Sequence, residues 1–411
     1  MKSSGRSLHI FAAIVACMFL APSAWAAEFR YDGKSNLAIT LGAPDHIATA
    51  EFAARELARC FSLMLGHDIA CSNTTVVWPD QTWLLRVETG GASPPPSPGT
   101  NRTARADSDE FQISAAAHSL TITASTPAAL LSAIFHLLEQ QGCAWLFPGP
   151  NGEIVPRGKA VVIVTSCNSR ADFSMRGLSP VENLQRYTEA DVRDMMDWMG
   201  RNRLNYFVPI INYGWARLGK TVVEESRKRG VHLAGYVWSF ELFLPLEVGR
   251  SHPEYFAFFD GKRHVDYNVK RCASSPEAIR LFVENGTRWF REHPEIQEWI
   301  VIPNDGFHWC ECEKCRRLKP KDQWAAFFTP LLQALASTNP SLTLHNFIYV
   351  TRYGLPENLE PYQDARLTHF FDVHQRNKWF SLRDPATPID QGNREGEVAS
   401  RRSRFRASLE S

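Results

Sequence analysis

The sequence predicts an α/β protein in which a small N-terminal α/β sandwich domain precedes a (β/α)8-type barrel that is truncated after about six strands. Strand-like runs and two amphipathic helices alternate up to residue 166, and strand–loop–helix units repeat from residue 167 to about residue 383. The last segment, 384–411, is polar and Arg-rich without periodicity, as in disordered tails.

The first residues have the organisation of a secretory signal peptide. Lys2 and Arg6 precede an apolar stretch from Leu8 to Leu20, and Ala24-Trp25-Ala26 resembles a cleavage site. We expect residues 1–26 to be removed and the mature protein to be periplasmic or secreted, where disulfides persist. Lipid attachment at Cys17 is the less favoured alternative, because the apolar stretch continues past that cysteine.

Composition narrows the choice of partners. The 45 Lys and Arg residues balance the 44 Asp and Glu residues, so nothing indicates binding to nucleic acid, and no later segment is apolar for long enough to span a bilayer. Aromatic residues make up 11% of the chain, with 12 Trp, as sugar-stacking sites often require, although core packing explains most of them. A carbohydrate is therefore the expected partner, and the oligomeric state stays open.

The N-terminal domain, residues 27–166, has two well-marked helices. The first runs from Ala48 to Leu65 with apolar residues four apart, and the second begins at Thr126-Pro127 and stops at Gly142. Strands at Ser119–Ala124 and Ala160–Val164 complete the predicted sandwich.

The barrel domain, residues 167–383, is predicted from six strands separated by helices. The strands are expected at 173–178, 205–211, 232–238, 299–302, 342–349 and 366–373, with helices at 189–202, 276–293 and 322–337. Since such barrels normally close with eight strands, we expect a truncated or frame-shifted C terminus. A natural six-unit open barrel is less favoured because its edge strands would stay unpaired.

Several segments resemble known families. "ATAEFAARELARCFSLMLG" and the stretch from "LTITASTPAALL" to "GEIVPR" resemble the accessory domain of bacterial α-glucuronidases and β-N-acetylhexosaminidases. "HPEYFAFFDGKR", "CASSPEAIRLF" and "PNDGFHWCECEKC" resemble an uncharacterised glycosidase-like family of unknown function that follows such a domain, and the likeness extends to about Trp379. The resemblance implies a glycosidase class without a substrate. In "GYVWSFELFLP", Trp238 stands where we expected a Gly-His pair.

The motif "PNDG" places a carboxylate where barrel enzymes hold their catalytic residues. Asn304 and Asp305 follow the fourth predicted strand at its C-terminal end. Shielding by Phe307 and Trp309 would raise the pKa of Asp305, which makes it the predicted general acid. Alternatively, Asp305-Gly306 only makes a tight turn that Asn304 caps.

The second catalytic carboxylate is less clearly marked. Glu241, just beyond the third strand, is the preferred residue, and Asp372 at the end of the sixth strand is the alternative. An acetamido group of the substrate could also supply the nucleophile and remove the need for one carboxylate. Side chains that follow strand ends and could bind sugar are Asn304, Trp238, Asn212, Tyr213, His374 and Arg376. His374 could equally be a structural histidine.

The cysteines of the mature chain predict structural sites. A bridge between Cys60 and Cys71 would tie a helix end to the next strand. Cys272 and the C-x-C-x-x-C cluster could form two disulfides or a tetrahedral zinc site, and both readings stay open; the four cysteines are Cys272, Cys310, Cys312 and Cys315. A four-thiolate zinc site has no open position for catalysis, so no catalytic cofactor is expected.

The leading hypothesis is an exported glycoside hydrolase that acts on polysaccharide or glycan fragments, including those with uronic acid or N-acetylhexosamine units. The alternatives are a non-catalytic carbohydrate-binding protein, which would keep the aromatic residues but lack a working carboxylate pair, and an inactive truncated remnant.

Overall fold

The computed structural model describes ten segments of the chain: 28–34, 37–42, 47–69, 71–75, 83–89, 109–180, 184–296, 298–306, 308–349 and 367–372. The predicted signal peptide, the polar tail, His374 and Arg376 lie outside them. The chain divides into two compact units. Unit 1 runs to Arg176 and includes 190–205 and 224–231, whereas unit 2 comprises 177–189, 206–223 and the chain from His232 onward.

The described strands and helices of unit 1 follow in chain order. They are β1 (Glu28–Tyr31), β2 (Leu37–Gly42), α1 (Ile47–Leu65), β3 (Cys71–Thr75), β4 (Trp83–Thr89), β5 (Glu110–Ala116), β6 (Ser119–Ala124), α2 (Pro127–Gln140), β7 (Ala144–Trp145), β8 (Glu153–Ile154), β9 (Val162–Thr165), β10 (Cys167–Arg170) and, except for its first residue, α3 (Glu189–Arg201).

Unit 1 is built on a six-stranded mixed sheet in the order β10-β5-β6-β4-β2-β3. The neighbours in this sheet pair antiparallel except β2 and β3, which are parallel and are connected in sequence by helix α1. The alternation of buried residues in β5 and β6 gives the sheet one apolar face, which joins the core with α1 and α2. Helix α2 begins as predicted: Thr126 accepts a hydrogen bond from the Ala129 amide at 3.0 Å, and Pro127 follows the cap.

The elements of unit 2 follow the same convention. They are β11 (Gly177–Leu178), β12 (Tyr206–Phe207), α4 (Trp215–Lys228, whose last turn belongs to unit 1), β13 (His232–Trp238), α5 (Ser239–Phe243), α6 (Leu246–Ser251), β14 (Phe258–Phe259), β15 (Lys262–Arg263), α7 (Pro276–Glu292), β16 (Glu298–Ile302), α8 (Pro320–Thr338), β17 (Thr343–Tyr349) and β18 (Leu367–Asp372).

The centre of unit 2 is a parallel sheet with strand order β11-β12-β13-β16-β17-β18. All six predicted strands occur in it, in sequence order. Alternate residues of the middle strands, such as Tyr236 and Ile300, form an apolar cluster. A Cβ atom at Gly235 would lie 2.3 Å from the ring of Trp299, so this glycine is required by the bulk of the fully buried tryptophan on the neighbouring strand.

Three sequence expectations differ from the observed elements. The first barrel strand is limited to β11, because the chain before it is exposed at Phe173. The second is limited to β12, since Pro209 has no amide hydrogen and the pairing with β13 resumes only at Ile210. Helix α4, with Leu218 and Val222 buried, was not predicted. No helix within the described segments has the length and apolarity needed to cross a membrane.

Candidate active site

The C-terminal edge of the parallel sheet in unit 2 gathers most of the predicted site residues that the structure describes. Tyr213 follows the pairing segment at Ile210, Trp238 ends β13 and Asp305 follows β16. Parallel sheets place all their C-terminal ends on one side, so residues far apart in sequence meet there.

Glu241 lies in α5, which begins where β13 ends. Two hydrogen bonds hold the start of this helix against the end of β16: the Ser239 hydroxyl donates to the Ile302 carbonyl at 2.8 Å, and the Phe240 amide donates to the Pro303 carbonyl at 2.9 Å. The short helix is therefore fixed beside the segment that carries Asp305.

The carboxyl group of Glu241 is half-buried and accepts a hydrogen bond from the Tyr213 hydroxyl at 2.6 Å. Burial raises the pKa of Glu241 above its ordinary value, and the nearby negative charge of Asp305 raises it further. The Tyr213 hydrogen bond and the positive charge of Arg271 act in the opposite direction without cancelling the effect. Glu241 and Asp305 are therefore close enough to interact electrostatically.

Asp305 projects from a turn that buried neighbours hold in place. Asn304 is 1% exposed; its side-chain oxygen accepts from the Lys270 ammonium at 2.6 Å, and its side-chain nitrogen donates to the Tyr267 carbonyl at 2.5 Å. A Cβ atom at Gly306 would lie 1.5 Å from the Asn268 carbonyl oxygen, so only glycine fits this approach of two backbones.

The expected shielding of Asp305 by aromatic rings is corrected by the structure, in which Asp305 is exposed. The ring of Trp309 is half-buried and receives the Lys270 ammonium 5.3 Å from its centroid, while Phe307 lies outside the described residues. The carboxyl group whose surroundings suit a proton donor is that of Glu241.

Arg271 supports the site from below the surface. It is 1% exposed, and its guanidinium donates to the carbonyls of Leu244, Val269 and Phe240 at 3.0, 2.5 and 3.1 Å. Burial lowers the pKa of this arginine, an effect that the charge of Glu241 opposes. The guanidinium fixes three backbone segments around the Glu241 carboxyl group.

Aromatic side chains flank the two carboxyl groups. The rings of Tyr213 and Trp238 meet edge to face, with centroids 5.9 Å apart. The indole N–H of Trp238 is buried and has no hydrogen-bond partner among the described residues. Tyr267 is 56% exposed, although its hydroxyl is close enough to influence the titration of Tyr213. The site thus presents one exposed aromatic ring, that of Tyr267.

The other predicted sugar ligands have different surroundings. Asn212 uses its amide to bind the backbone of Trp238, accepting from its N–H at 2.8 Å and donating to its carbonyl at 3.1 Å. Asn304 is bound on both sides of its amide, as described above. His374 and Arg376 lie outside the described residues, as does the side chain of Asp372. Asn212 and Asn304 therefore position the site rather than present free amides to it.

Sequence reasoning missed Tyr267 and Arg271. Both lie in the loop between β15 and α7, where no strand end marks them as site residues. The available signal was the consecutive pair Lys270-Arg271 between apolar Val269 and Cys272, because cations placed within an apolar run are often buried and paired.

Cys60 is a free cysteine, and its buried thiol is hydrogen-bonded to that of Cys143. The side chain of Cys71 lies outside the described residues, so the Cys60–Cys71 bridge stays a prediction. The cluster of unit 2 is also free of disulfides. Its four sulfur atoms lie within 4.8 Å of one another and belong to Cys272, Cys310, Cys312 and Cys315.

Residues 147–366 match the sequence profile of a family described as domain of unknown function (DUF4838). The chain belongs to this family. The expected membership of a glycosidase-like family of unknown function is thereby confirmed. No curated protein matches the sequence.

Solved structures with a similar fold are glycoside hydrolases. Chitobiase from Flavobacterium johnsoniae is 13% identical, with a TM-score of 0.50 over 84% of this chain and 52% of its own. An exo-β-N-acetylglucosaminidase from Vibrio harveyi, in complex with N-acetylglucosamine, is 10% identical, with a TM-score of 0.50 over 85% of this chain and 55% of its own. The chain thus spans about half the length of these two enzymes, and the likeness concerns the fold.

Proposed function

We propose that this protein is a glycoside hydrolase in which Glu241 and Asp305 form the catalytic pair. The observation that carries the proposal is that the two carboxyl groups follow neighbouring parallel strands, β13 and β16, at the C-terminal edge of the sheet, where the charge of Asp305 helps to raise the pKa of Glu241. Glycoside hydrolysis requires two carboxyl groups with different protonation on either side of the scissile bond.

The surroundings divide the roles. Glu241 is the proton donor, because burial keeps it protonated to higher pH than an ordinary glutamate. Asp305 is exposed and is the second carboxyl group of the pair, which acts as base, nucleophile or stabiliser of positive charge. The role of general acid, predicted for Asp305 from its position after a strand, is thus assigned to Glu241 in this proposal.

The aromatic residues support a sugar ligand. The exposed ring of Tyr267 offers a surface on which an apolar sugar face could stack. Glycans with N-acetylhexosamine are the first substrates to test, because the two enzymes with a similar fold are named for hydrolysing such units. Uronic-acid oligosaccharides are the second substrates to test, because the N-terminal segments resemble the accessory domain of α-glucuronidases.

Two further parts of the proposal rest on sequence patterns. The parallel sheet of unit 2 is inferred to be part of a (β/α)8-type barrel, supported by its six strands in sequential order. Export to the periplasm or the medium is inferred from the basic and apolar residues of segment 1–26.

The test is a screen of the protein against 4-nitrophenyl glycosides of N-acetylglucosamine, N-acetylgalactosamine, glucuronic acid, glucose and galactose. We expect hydrolysis of at least one, with turnover reduced about 10²–10⁴-fold in Glu241→Gln and Asp305→Asn. Exposed carboxylates nearby provide matched controls, Glu247→Gln in α6 and Asp260→Asn in the β14–β15 turn, which should keep full activity. If both site variants hydrolyse as well as the controls, the proposed pair is wrong.

A non-catalytic sugar-binding protein is the second candidate, favoured by the aromatic surface alone. It would bind N-acetylglucosamine oligosaccharides in calorimetry, would lose affinity in Tyr267→Ala, and would release no sugar from any substrate of the panel.

A further inference from the structure

We propose that the four cysteines of unit 2 bind one zinc ion in a closed structural site that holds the loop carrying Asp305. The ligands are Cys272, Cys310, Cys312 and Cys315. The proposal concerns a metal site and stands independently of the proposed hydrolase activity.

The spacing of the sulfur atoms suits a tetrahedral ion. All four lie within 4.8 Å of one another, and Cys272 is 3.9 Å from both Cys312 and Cys315. Four sulfur ligands about 2.3 Å from a zinc ion lie about 3.8 Å from one another. A disulfide requires a sulfur–sulfur distance of about 2.05 Å. Because Cys272 is equally far from two sulfur atoms, it is not arranged to pair with one of them.

The sulfur atoms are buried, so as thiolates they would need a cation to offset their negative charge. Cys272, Cys310 and Cys315 are at most 2% exposed, and only Cys312 is half-buried. Four thiolates around Zn²⁺ leave a net charge of about −2, which costs free energy in an apolar interior unless donors compensate it.

Such donors surround the cluster. The Phe258 amide and the Arg263 guanidinium donate to the Cys310 sulfur at 3.4 and 3.6 Å. The Ser274 hydroxyl lies 3.2 Å from the Cys272 sulfur and 3.3 Å from that of Cys312. Hydrogen bonds of this kind orient metal ligands and disperse their charge. Arg263 adds the positive charge that the site needs.

The ligands come from two segments that meet beside the active site. Lys270, two residues before Cys272, has its amide bonded to the His308 carbonyl at 3.1 Å and its ammonium bonded to Asn304. On the other segment, the Gln323 side chain of α8 binds the Cys310 amide at 3.1 Å. An ion bound by both segments would therefore tie the segment that contacts Asn304 to the chain that follows Asp305.

The ion is expected to be zinc. Tetrahedral four-sulfur sites select zinc or iron among the common metals, and zinc alone has no redox chemistry. A closed set of four protein ligands leaves no position for water or substrate, so the ion has a structural role.

The test is the metal content of the full-length protein, purified through a tag that binds no metal and without chelators. Mass spectrometry of metals should give one zinc per chain, which a mercurial thiol reagent releases. Cys272→Ser and Cys312→Ser should each lose at least ten-fold of the bound zinc and lower the thermal midpoint by about 5 °C or more. Cys167→Ser, which removes a half-buried free thiol of unit 1, is the matched control and should retain the metal.

Replacement of the metal by cobalt keeps the proposal testable where a cysteine variant does not fold. The wild-type protein with Co²⁺ should show the intense sulfur-to-cobalt charge-transfer and visible bands of a tetrahedral thiolate site. Disulfides between these cysteines in non-reduced peptides, alkylated free thiols without metal, or stoichiometric iron would each overturn the proposal. Since metal content is measured without substrate, an inactive protein that binds zinc would contradict only the proposed hydrolase function.

Discussion

Two glutamates at opposite edges of the parallel sheet in unit 2 differ in the hydrogen bonds that their carboxyl groups accept. Both are half-buried. Glu298 begins β16 at the N-terminal edge and binds the Tyr206 hydroxyl, His345 and the Nε2 atom of His232, the last at 2.5 Å. Within the part of the chain that the structure describes, Glu241 at the C-terminal edge receives one side-chain hydrogen bond, from Tyr213.

The number of donors decides the direction of the pKa shift. Burial acts to raise the pKa of Glu298, but hydrogen bonds from His232, His345 and Tyr206 outweigh it and lower the pKa. At Glu241 burial prevails and the pKa is raised. Burial alone therefore does not distinguish a catalytic carboxyl group from a structural one. The carboxyl group with the raised pKa at the C-terminal edge of the sheet is the candidate for chemistry.

The largest expected effect is the loss of activity in Glu241→Gln, and its size should depend on the leaving group of the substrate. Glu241→Gln should reduce hydrolysis of a 4-methylumbelliferyl glycoside by about 10²–10⁴-fold, because its leaving group needs a proton. The 2,4-dinitrophenolate group of a glycoside of the same sugar leaves without being protonated. The variant should therefore cleave the glycosidic bond of this substrate at almost the wild-type rate. Pre-steady-state rates of both substrates measure this difference. Equal losses on the two would show that Glu241 is not the proton donor.

The second effect separates stability from activity. Glu298→Gln removes the charge that three donors satisfy and should lower the free energy of unfolding by about 2–3 kcal/mol, while the folded variant keeps its turnover number. Glu241→Gln should show the opposite pattern, with little change in stability. Urea denaturation followed by tryptophan fluorescence, beside steady-state kinetics at a temperature where both variants are folded, provides the comparison.

The third prediction concerns acid stability. The folded-state pKa of Glu298 is depressed, so its stabilising contribution is present above the unfolded pKa of about 4.3 and is lost as pH falls below it. The free energy of unfolding should therefore decrease between about pH 4 and pH 2 in the wild type and less steeply in Glu298→Gln. Parallel curves for the two proteins would contradict this account of the cluster.

The smallest expected effect is a shift of the pH profile of activity when the Tyr213 hydroxyl is removed. Because Glu241 acts in its protonated form, activity should fall as pH rises through its raised pKa. The Tyr213 hydrogen bond lowers that pKa, so Tyr213→Phe should move the alkaline limb of the kcat/KM profile to higher pH. Tyr255→Phe, which changes a phenol in the turn before β14, is a control that should leave the profile unchanged.

Much of the fold was predictable from local patterns, and the exceptions have local causes. Apolar periodicity and a Thr-Pro cap located α2 to within two residues, whereas Pro209 shortened β12 by interrupting its pairing. The candidate site was predicted in part. Strand-end position singled out Glu241 and Asp305, but nothing local distinguished the exposed Asp305 from the half-buried Glu241.

Local sequence patterns were enough to predict that strands and helices alternate after residue 167, that carboxyl groups follow two strand ends and that Cys272 and the three-cysteine cluster share a structural site. These features depend on neighbours within a few residues, which hydrophobic period and turn chemistry report. The three-dimensional structure was needed to show that the charges of Arg271 and Glu241 interact and that Asn212 and Asn304 bind protein groups. Burial and hydrogen bonding depend on residues distant in sequence that the parallel sheet brings together, and these interactions set the charge of each carboxyl group.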